Sequence, residues 1–158
     1  MELYNLLLII LLTFIPTLEL RFSIPYALLI LKMNPLVAFF IIIIANIAIG
    51  EIIFYSLNTI LPYVLKIKIF ERIYNKCVKR IQKKMHKQVD KYGTIGLALF
   101  IGVPLPGSGV WTGALAAFLL GFKRKEFSLA NIVGVLIAGV IVIFAIIAGI
   151  NGFSLFVK

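Results

Sequence analysis

One stretch decides the fold: Val103-Pro104-Leu105-Pro106-Gly107-Ser108-Gly109-Val110-Trp111-Thr112-Gly113. The sequence on both sides of it is almost wholly apolar. Two prolines and several glycines inside one apolar segment exclude a straight membrane-spanning helix. Broken backbone is tolerated at membrane depth only where protein or a water-filled cavity surrounds it. Because basic residues flank the segment on both sides, we predict that residues 93–122 form a re-entrant hairpin, broken at Pro104 and Pro106.

The composition is that of an integral membrane protein. Of the 158 residues, 62% are hydrophobic and the mean hydropathy is +1.10, whereas average globular domains are roughly 45–50% apolar. The net charge is +10, and ten of the sixteen basic residues lie between Lys66 and Lys91. Apolar residues recur there at helical spacing, so we predict a cytoplasmic amphipathic helix over residues 66–92. This placement follows the positive-inside rule, and no nucleic-acid partner is expected.

The first part of the chain predicts a second hairpin of the same design. Residues 3–34 are apolar except for an interruption that contains Pro16 and Pro25. Ser23 suits an N-cap, and Pro25 suits the first turn of the helix that follows. Residues 36–65 are long and apolar enough to cross a membrane with tilt.

The order of these segments predicts an internal repeat within one all-α membrane domain, residues 1–158. Repeat 1 covers residues 1–65, and repeat 2 covers 93–158 with its spanning helix at 127–150. A single crossing separates the two hairpins, so they enter from opposite faces as an inverted-topology repeat. We therefore expect a multi-pass plasma-membrane protein whose loop 123–126 is cytoplasmic and whose termini lie outside.

Three intramembrane charges are candidates for function: Glu19, Arg21 and Glu51. Each costs about 2.5–3.5 kcal/mol at a helix centre, so each should face protein or water. If Arg21 reaches Glu51, Glu19 is left to bind a coupling proton or ion, and Glu51 is the second candidate for that role. The alternative is a structural ion pair that holds hairpin to helix, and the sequence leaves both open.

The two hairpin breaks are candidates for substrate binding. Helices are predicted to begin at Ser23 and at Gly107-Ser108-Gly109, and helix N-termini attract anions. With Arg21 beside them they would bind a phosphate, and Trp111 and Thr112 would line the same pocket. Alternatively, the small residues in this segment exist only for close helix packing.

Two motifs resemble signatures of the small multi-drug export protein family, which is related to the DedA or SNARE-associated (VTT) superfamily. They are Glu19-Leu20-Arg21 with Ile24-Pro25-Tyr26-Ala27, and the run from Pro104 to Ala117. The resemblance implies paired re-entrant hairpins and movement of substrates across membranes. For the DedA branch it implies translocation of lipid phosphates, such as polyprenyl phosphates or phospholipids, with proton or sodium coupling. That pattern has arginines around the second hairpin, whereas residues 93–122 contain none.

The sequence thus predicts a transporter that flips or scrambles an anionic lipid phosphate through a midplane cavity. An alternative is a proton-coupled exporter of hydrophobic cations that pair with Glu19 or Glu51. A third is a non-transporting organiser that recruits partners through its basic helix. No catalysis, cofactor or metal is expected, because the sequence has no nucleophile–base pair or metal-ligand cluster. Membrane lipids are the expected surroundings, and two crossings that leave hairpins uncovered favour a homodimer.

Overall fold

The computed structural model describes residues 3–64, 93–104 and 107–156, and every regular element in these ranges is helical. This confirms the predicted all-α class. The amphipathic helix predicted over residues 66–92 and the break at Pro106 lie outside the described residues. The helices are α1 Leu3–Phe14, α2 Glu19–Pro25 with a π-helical turn at Tyr26–Ile30, α3 Pro35–Val64, α4 Gly93–Gly102, α5 Val110–Leu119 and α6 Arg124–Phe156.

Two of these helices, α3 and α6, are long and apolar enough to cross a membrane. Their candidate spans are Pro35–Ile60 and Arg124–Gly149, with mean hydropathies of 2.6 and 3.0. Only 33% and 28% of the 18-residue apolar windows in these spans are buried inside the protein, as fits helices that face lipid. Large apolar side chains project outward along α6, as at Val140 and Phe144. Such surfaces are stable in lipid and not in water.

The first hairpin joins α1 to α2 through a short turn that contains Pro16. The hydroxyl oxygens of Thr13 and Ser23 lie 2.9 Å apart across it, and both side chains are fully buried. Ser23 also donates to the carbonyl oxygen of Glu19 at 2.9 Å. These contacts satisfy the polar groups of the two helices where they meet.

The structure corrects the predicted start of α2. Ser23 is not an N-cap, because the helix begins at Glu19 and passes through both Ser23 and Pro25. The Ser23 hydroxyl bonds back to the preceding turn, as serine commonly does inside a helix. Pro25 has no backbone N–H to donate, and it lies at the end of α2, where the π-helical turn begins. The helix that follows, α3, begins at Pro35.

The helices of each half of the chain pack against helices of the other half. Helix α2 lies against α6, and α5 lies against α3. A Cβ on Gly50 would meet Asn131, while one on Gly139 would meet Ile43. The later residue of α6, Gly139, therefore faces the earlier residue of α3, Ile43. The two long helices are thus antiparallel.

Candidate functional site

The carboxylate of Glu19 lies at the N-terminus of α5. Its two oxygens accept hydrogen bonds from the backbone N–H groups of Val110 and Trp111, each at 3.2 Å. The residue is 4% exposed. It therefore supplies the helix end with the negative charge that unpaired N–H groups and the helix dipole favour. This contact joins the beginning of α2 to the break of the second hairpin.

The backbone is unusual on both sides of this contact. Glu19 has a φ of +45°, which is rare for a residue with a side chain. Gly109 precedes α5 with φ +134° and ψ −170°, a region open essentially to glycine alone. A Cβ on Gly109 would overlap Oε2 of Glu19 and lie 2.8 Å from Oε1. Two features therefore require glycine at position 109: its dihedral angles and the close approach of the Glu19 carboxylate.

Arg21 lies at the same break, two residues after Glu19 in α2. Its guanidinium donates to the hydroxyl of Ser108 at 2.8 Å and to the carbonyl of Val103 at 3.3 Å. Ser108 in turn donates to that carbonyl at 2.6 Å. Arg21 therefore binds the segment between α4 and α5.

Glu51 has other partners than the predicted Arg21. Its carboxylate accepts a hydrogen bond from the Ser128 hydroxyl at 2.9 Å and a longer one, 3.4 Å, from the Asn131 amide. Both donors belong to α6, and sequence reasoning missed them. A lone asparagine within the apolar run of α6 was the signal that could have indicated Asn131. Arg21, which the sequence would allow to reach Glu51, donates instead to Ser108 and to the carbonyl of Val103.

The tip of α5 contacts Glu19 and also approaches α3 at Gly50. Its first residue, Val110, binds Glu19 through the backbone N–H, and a Cβ on Gly50 would lie 2.5 Å from its side chain. Glu51 follows Gly50 directly.

The predicted phosphate cradle is only partly present. Of its two proposed helix ends, the one at Ser23 is interior to α2, and the one at Gly109 already holds Glu19. Gly107 is exposed with φ +80° and has nothing near its missing Cβ. Thr112 is exposed and donates to the carbonyl of Gly109 at 3.3 Å. The α5 end cannot bind an anion until Glu19 leaves it, because like charges repel in a medium of low dielectric constant.

Trp111 borders an apolar cleft of about 350 Å³ against α3. Its buried indole N–H has no hydrogen-bond partner among the described residues. The cleft wall on α3 consists of Ile49, Ile52, Ile53, Ser56, Leu57 and Ile60. The prediction that Trp111 lines a cavity next to the break thus agrees with its position, whereas the role of that cavity stays a prediction.

Two of the prolines that were predicted at hairpin breaks lie outside the helices. Pro16 is exposed in the turn between α1 and α2, and Pro104 is exposed after the end of α4. Among the residues that the structure describes, no group of three or more His, Cys, Asp or Glu side chains could hold a metal ion.

Comparison with protein families gives one match. The sequence profile of a family described as "Putative small multi-drug export protein" matches residues 19–141. The matched segment starts at Glu19 and includes both carboxylates, Arg21 and the whole second hairpin. No curated protein and no solved structure matches the chain.

Proposed function

Since the chain belongs to the small multi-drug export family, we propose that it is a membrane exporter of hydrophobic cations, driven by proton exchange at Glu19. One observation carries this proposal. A carboxylate that is 4% exposed forms the contact between the first hairpin and the tip of the second. Ionisable groups in membrane segments typically mark substrate or proton pathways.

The coupling follows from what Glu19 binds. As a carboxylate it is held by two N–H groups and by the dipole of α5. A proton would neutralise the charge and weaken both interactions. A cationic substrate would compete with the same N–H groups for the carboxylate. Proton and substrate would then occupy Glu19 in turn, which is the requirement for exchange.

The cleft beside Trp111 supports a hydrophobic substrate. Its wall is apolar apart from one hydroxyl, at Ser56, which already donates to the carbonyl of Ile52. An indole face attracts cations, with an energy of about 0.5–2 kcal/mol. Because the backbone N–H of Trp111 binds Glu19, a cation against this ring would be close to the carboxylate.

Topology supports alternating access. The antiparallel order of α3 and α6 and the crosswise packing of α2 and α5 are what an inverted-topology repeat of two re-entrant hairpins would produce. In this proposal the chain is a multi-pass plasma-membrane protein with residues 66–92 and 123–126 in the cytoplasm. Its termini lie outside, and a second copy in the membrane covers the hairpins.

A second candidate function is the translocation of lipid phosphates, and Arg21 favours it. Its guanidinium lies at the second break, next to the hydroxyl of Ser108. Arginine suits phosphate because it donates several hydrogen bonds in one plane. This function requires that Glu19 leave the end of α5 so that the N–H groups can bind the anion.

A binding experiment separates the candidates. Trp111 is the only tryptophan in the chain, so its fluorescence reports on this site. We would titrate purified protein with tetraphenylphosphonium and, separately, with a short-chain polyprenyl phosphate. The export proposal expects the cation to bind, Glu19→Gln to weaken binding by at least about tenfold, a loss of about 1.4 kcal/mol, and Arg21→Ala to have little effect.

The matched control is Glu126→Gln, which removes an exposed carboxyl at the start of α6 and should leave binding unchanged. Binding of the phosphate that depends on Arg21, with no binding of the cation, would reject the export proposal in favour of the lipid one. A protein that binds neither ligand, and moves neither across proteoliposomes, would be the non-transporting organiser. If transport by the Glu19→Gln variant responds to a pH gradient as strongly as transport by the wild type, Glu19 is excluded as the coupling group.

A further inference from the structure

The two hairpins end on the same kind of backbone turn, but with different residues in it. After α5, Gly121 has a φ of +74°, and after the π-helical turn of the first hairpin Lys32 has a φ of +49°. In each turn the N–H of the next residue donates to a carbonyl oxygen of the preceding helix, at 2.9 Å and 3.0 Å respectively. Helices that end on a left-handed residue usually have glycine at that position.

Lysine is an unfavourable choice for this turn. A side chain in the left-handed region crowds the backbone, and glycine avoids that cost. Nothing lies within 4 Å of the missing Cβ of Gly121, so the backbone angle alone favours glycine in the second hairpin. The first hairpin has the same backbone requirement and yet has Lys32. We therefore expect the side chain of Lys32 to have a use of its own.

Lys32 borders a pocket of about 460 Å³ between the start of α1 and the start of α3. Two amide side chains and three apolar ones complete its lining: Asn5, Asn34, Leu31, Met33 and Val37. The Oδ1 of Asn34 accepts a hydrogen bond from the N–H of Leu36 at 3.0 Å, which leaves its NH₂ group to donate. The pocket thus combines a positive charge and amide groups with an apolar wall.

The pocket lies at the end of the helix bundle opposite to the basic residues 123–125. Because α3 and α6 are antiparallel, the start of α3 and the start of α6 are at opposite ends. The other charged residues in the described part of the chain lie at the hairpin break or toward the start of α6, so no described carboxylate is placed to neutralise Lys32. Val37 is in the first turn of the candidate span Pro35–Ile60, so a ligand of this pocket can come from the surrounding lipid leaflet.

Charge and polarity together select the occupant. Lys32 would repel a hydrophobic cation, so the pocket is not a second site for the proposed substrate. A free phosphate ion would leave the apolar wall uncovered. A phospholipid with an anionic headgroup satisfies both parts, because its phosphate oxygens accept hydrogen bonds from ammonium and amide groups and its hydrocarbon covers the apolar side chains.

We propose that the pocket at Lys32 binds one phospholipid with an anionic headgroup, phosphatidylglycerol being the simplest example, as a resident lipid that is not transported. Glu19 and Arg21 lie at the start of the helical segment formed by α2 and the π-helical turn, whereas Lys32 follows its end. The lipid site is therefore separate from the contact between the two hairpins. The inference holds whichever substrate the protein moves.

The test counts the lipids bound to the purified full chain by native mass spectrometry and records Tm after addition of phosphatidylglycerol or phosphatidylcholine in detergent. We expect one phosphatidylglycerol molecule to stay bound to the wild type and to raise Tm above the value in phosphatidylcholine. Lys32→Gln should weaken this binding by about fivefold, which corresponds to the contribution of about 1 kcal/mol from one basic residue near a membrane surface. Lys125→Gln is the matched control, because it removes an exposed lysine at the opposite end and should leave the binding unchanged.

Lys32→Gly separates lipid binding from folding. Glycine removes the charge and the backbone strain together. This variant should have a Tm equal to or above that of the wild type without lipid, and it should gain less from phosphatidylglycerol. A lower Tm without lipid would mean that Lys32 serves the fold itself, and the argument from the turn would fail.

Equal binding of the two lipids by the wild type would overturn the proposal, and this comparison stands even if a variant does not fold. An equal rise in Tm with inorganic phosphate would assign the pocket to a free anion and also overturn it. Loss of the lipid in Lys125→Gln, with retention in Lys32→Gln, would place the lipid at the opposite end. Dissociation of a dimer in Lys32→Gln, with no lipid bound to the wild type, would make the pocket an interface between copies of the chain instead.

Discussion

Substitution of Gly109 by alanine tests the central contact of the proposed site. The added Cβ would overlap Oε2 of Glu19, so the carboxylate would have to leave the N–H groups of Val110 and Trp111. Hydrogen bonds to a charged group contribute about 1.5–3 kcal/mol each, so losing two costs about 3–6 kcal/mol. The dihedral angles of Gly109 add about 1–3 kcal/mol of strain for any residue with a side chain.

Gly107→Ala is the matched control. Gly107 also has a positive φ, +80°, but no atom lies within 4 Å of its missing Cβ. The Gly107→Ala variant therefore bears the backbone strain without displacing Glu19. The expected difference between the two variants is at least about 3 kcal/mol, or roughly 6–12 °C in Tm for a chain of this length. Thermal unfolding, monitored by the fluorescence of Trp111, measures this difference in stability at the site itself.

A double-mutant cycle with Glu19→Ala makes the reasoning refutable. Without the carboxylate, the alanine at position 109 has nothing to displace, and its cost should fall to that of Gly107→Ala. The coupling energy between positions 19 and 109 should therefore be about 3 kcal/mol. Strictly additive effects would mean that Glu19 does not lie at the end of α5, and the proposed exchange mechanism would lose its basis.

Two further predictions concern topology and packing. If residues 66–92 are cytoplasmic, Cys77 should resist impermeant thiol reagents in intact cells and react in inverted vesicles. A cysteine at Asn34 in a Cys77→Ser background should behave oppositely, and labelling of both from one side would reject the inverted repeat. Gly134→Ala should lower Tm by several degrees, because its Cβ would lie 2.7 Å from the carbonyl oxygen of Ala98. Gly149→Ala should leave Tm unchanged or raise it, because nothing lies within 4 Å there; equal effects would contradict the close contact between α4 and α6.

The sequence by itself determined the elements of this protein. The lengths of its apolar runs and the positions of proline and glycine are local properties, and they predicted the breaks and the spanning helices. The predicted segment 36–65 corresponds to α3 at Pro35–Val64, and the predicted start at residue 127 lies within three residues of the start of α6. The same local reasoning identified Glu19, Arg21 and Glu51 as informative, because charge in an apolar segment is costly wherever it lies.

Tertiary structure decided what these charges bind. Glu19 meets Val110 and Arg21 meets Ser108 across more than eighty residues of sequence. Such pairings depend on how each helix is rotated about its axis and on which hairpin tip it faces, and neither is encoded in a local pattern. A shift of the start of α2 from Ser23 to Glu19 removed one predicted anion site. The close approach of Glu19 to Gly109 filled the other, because the end of a buried helix attracts the nearest negative charge.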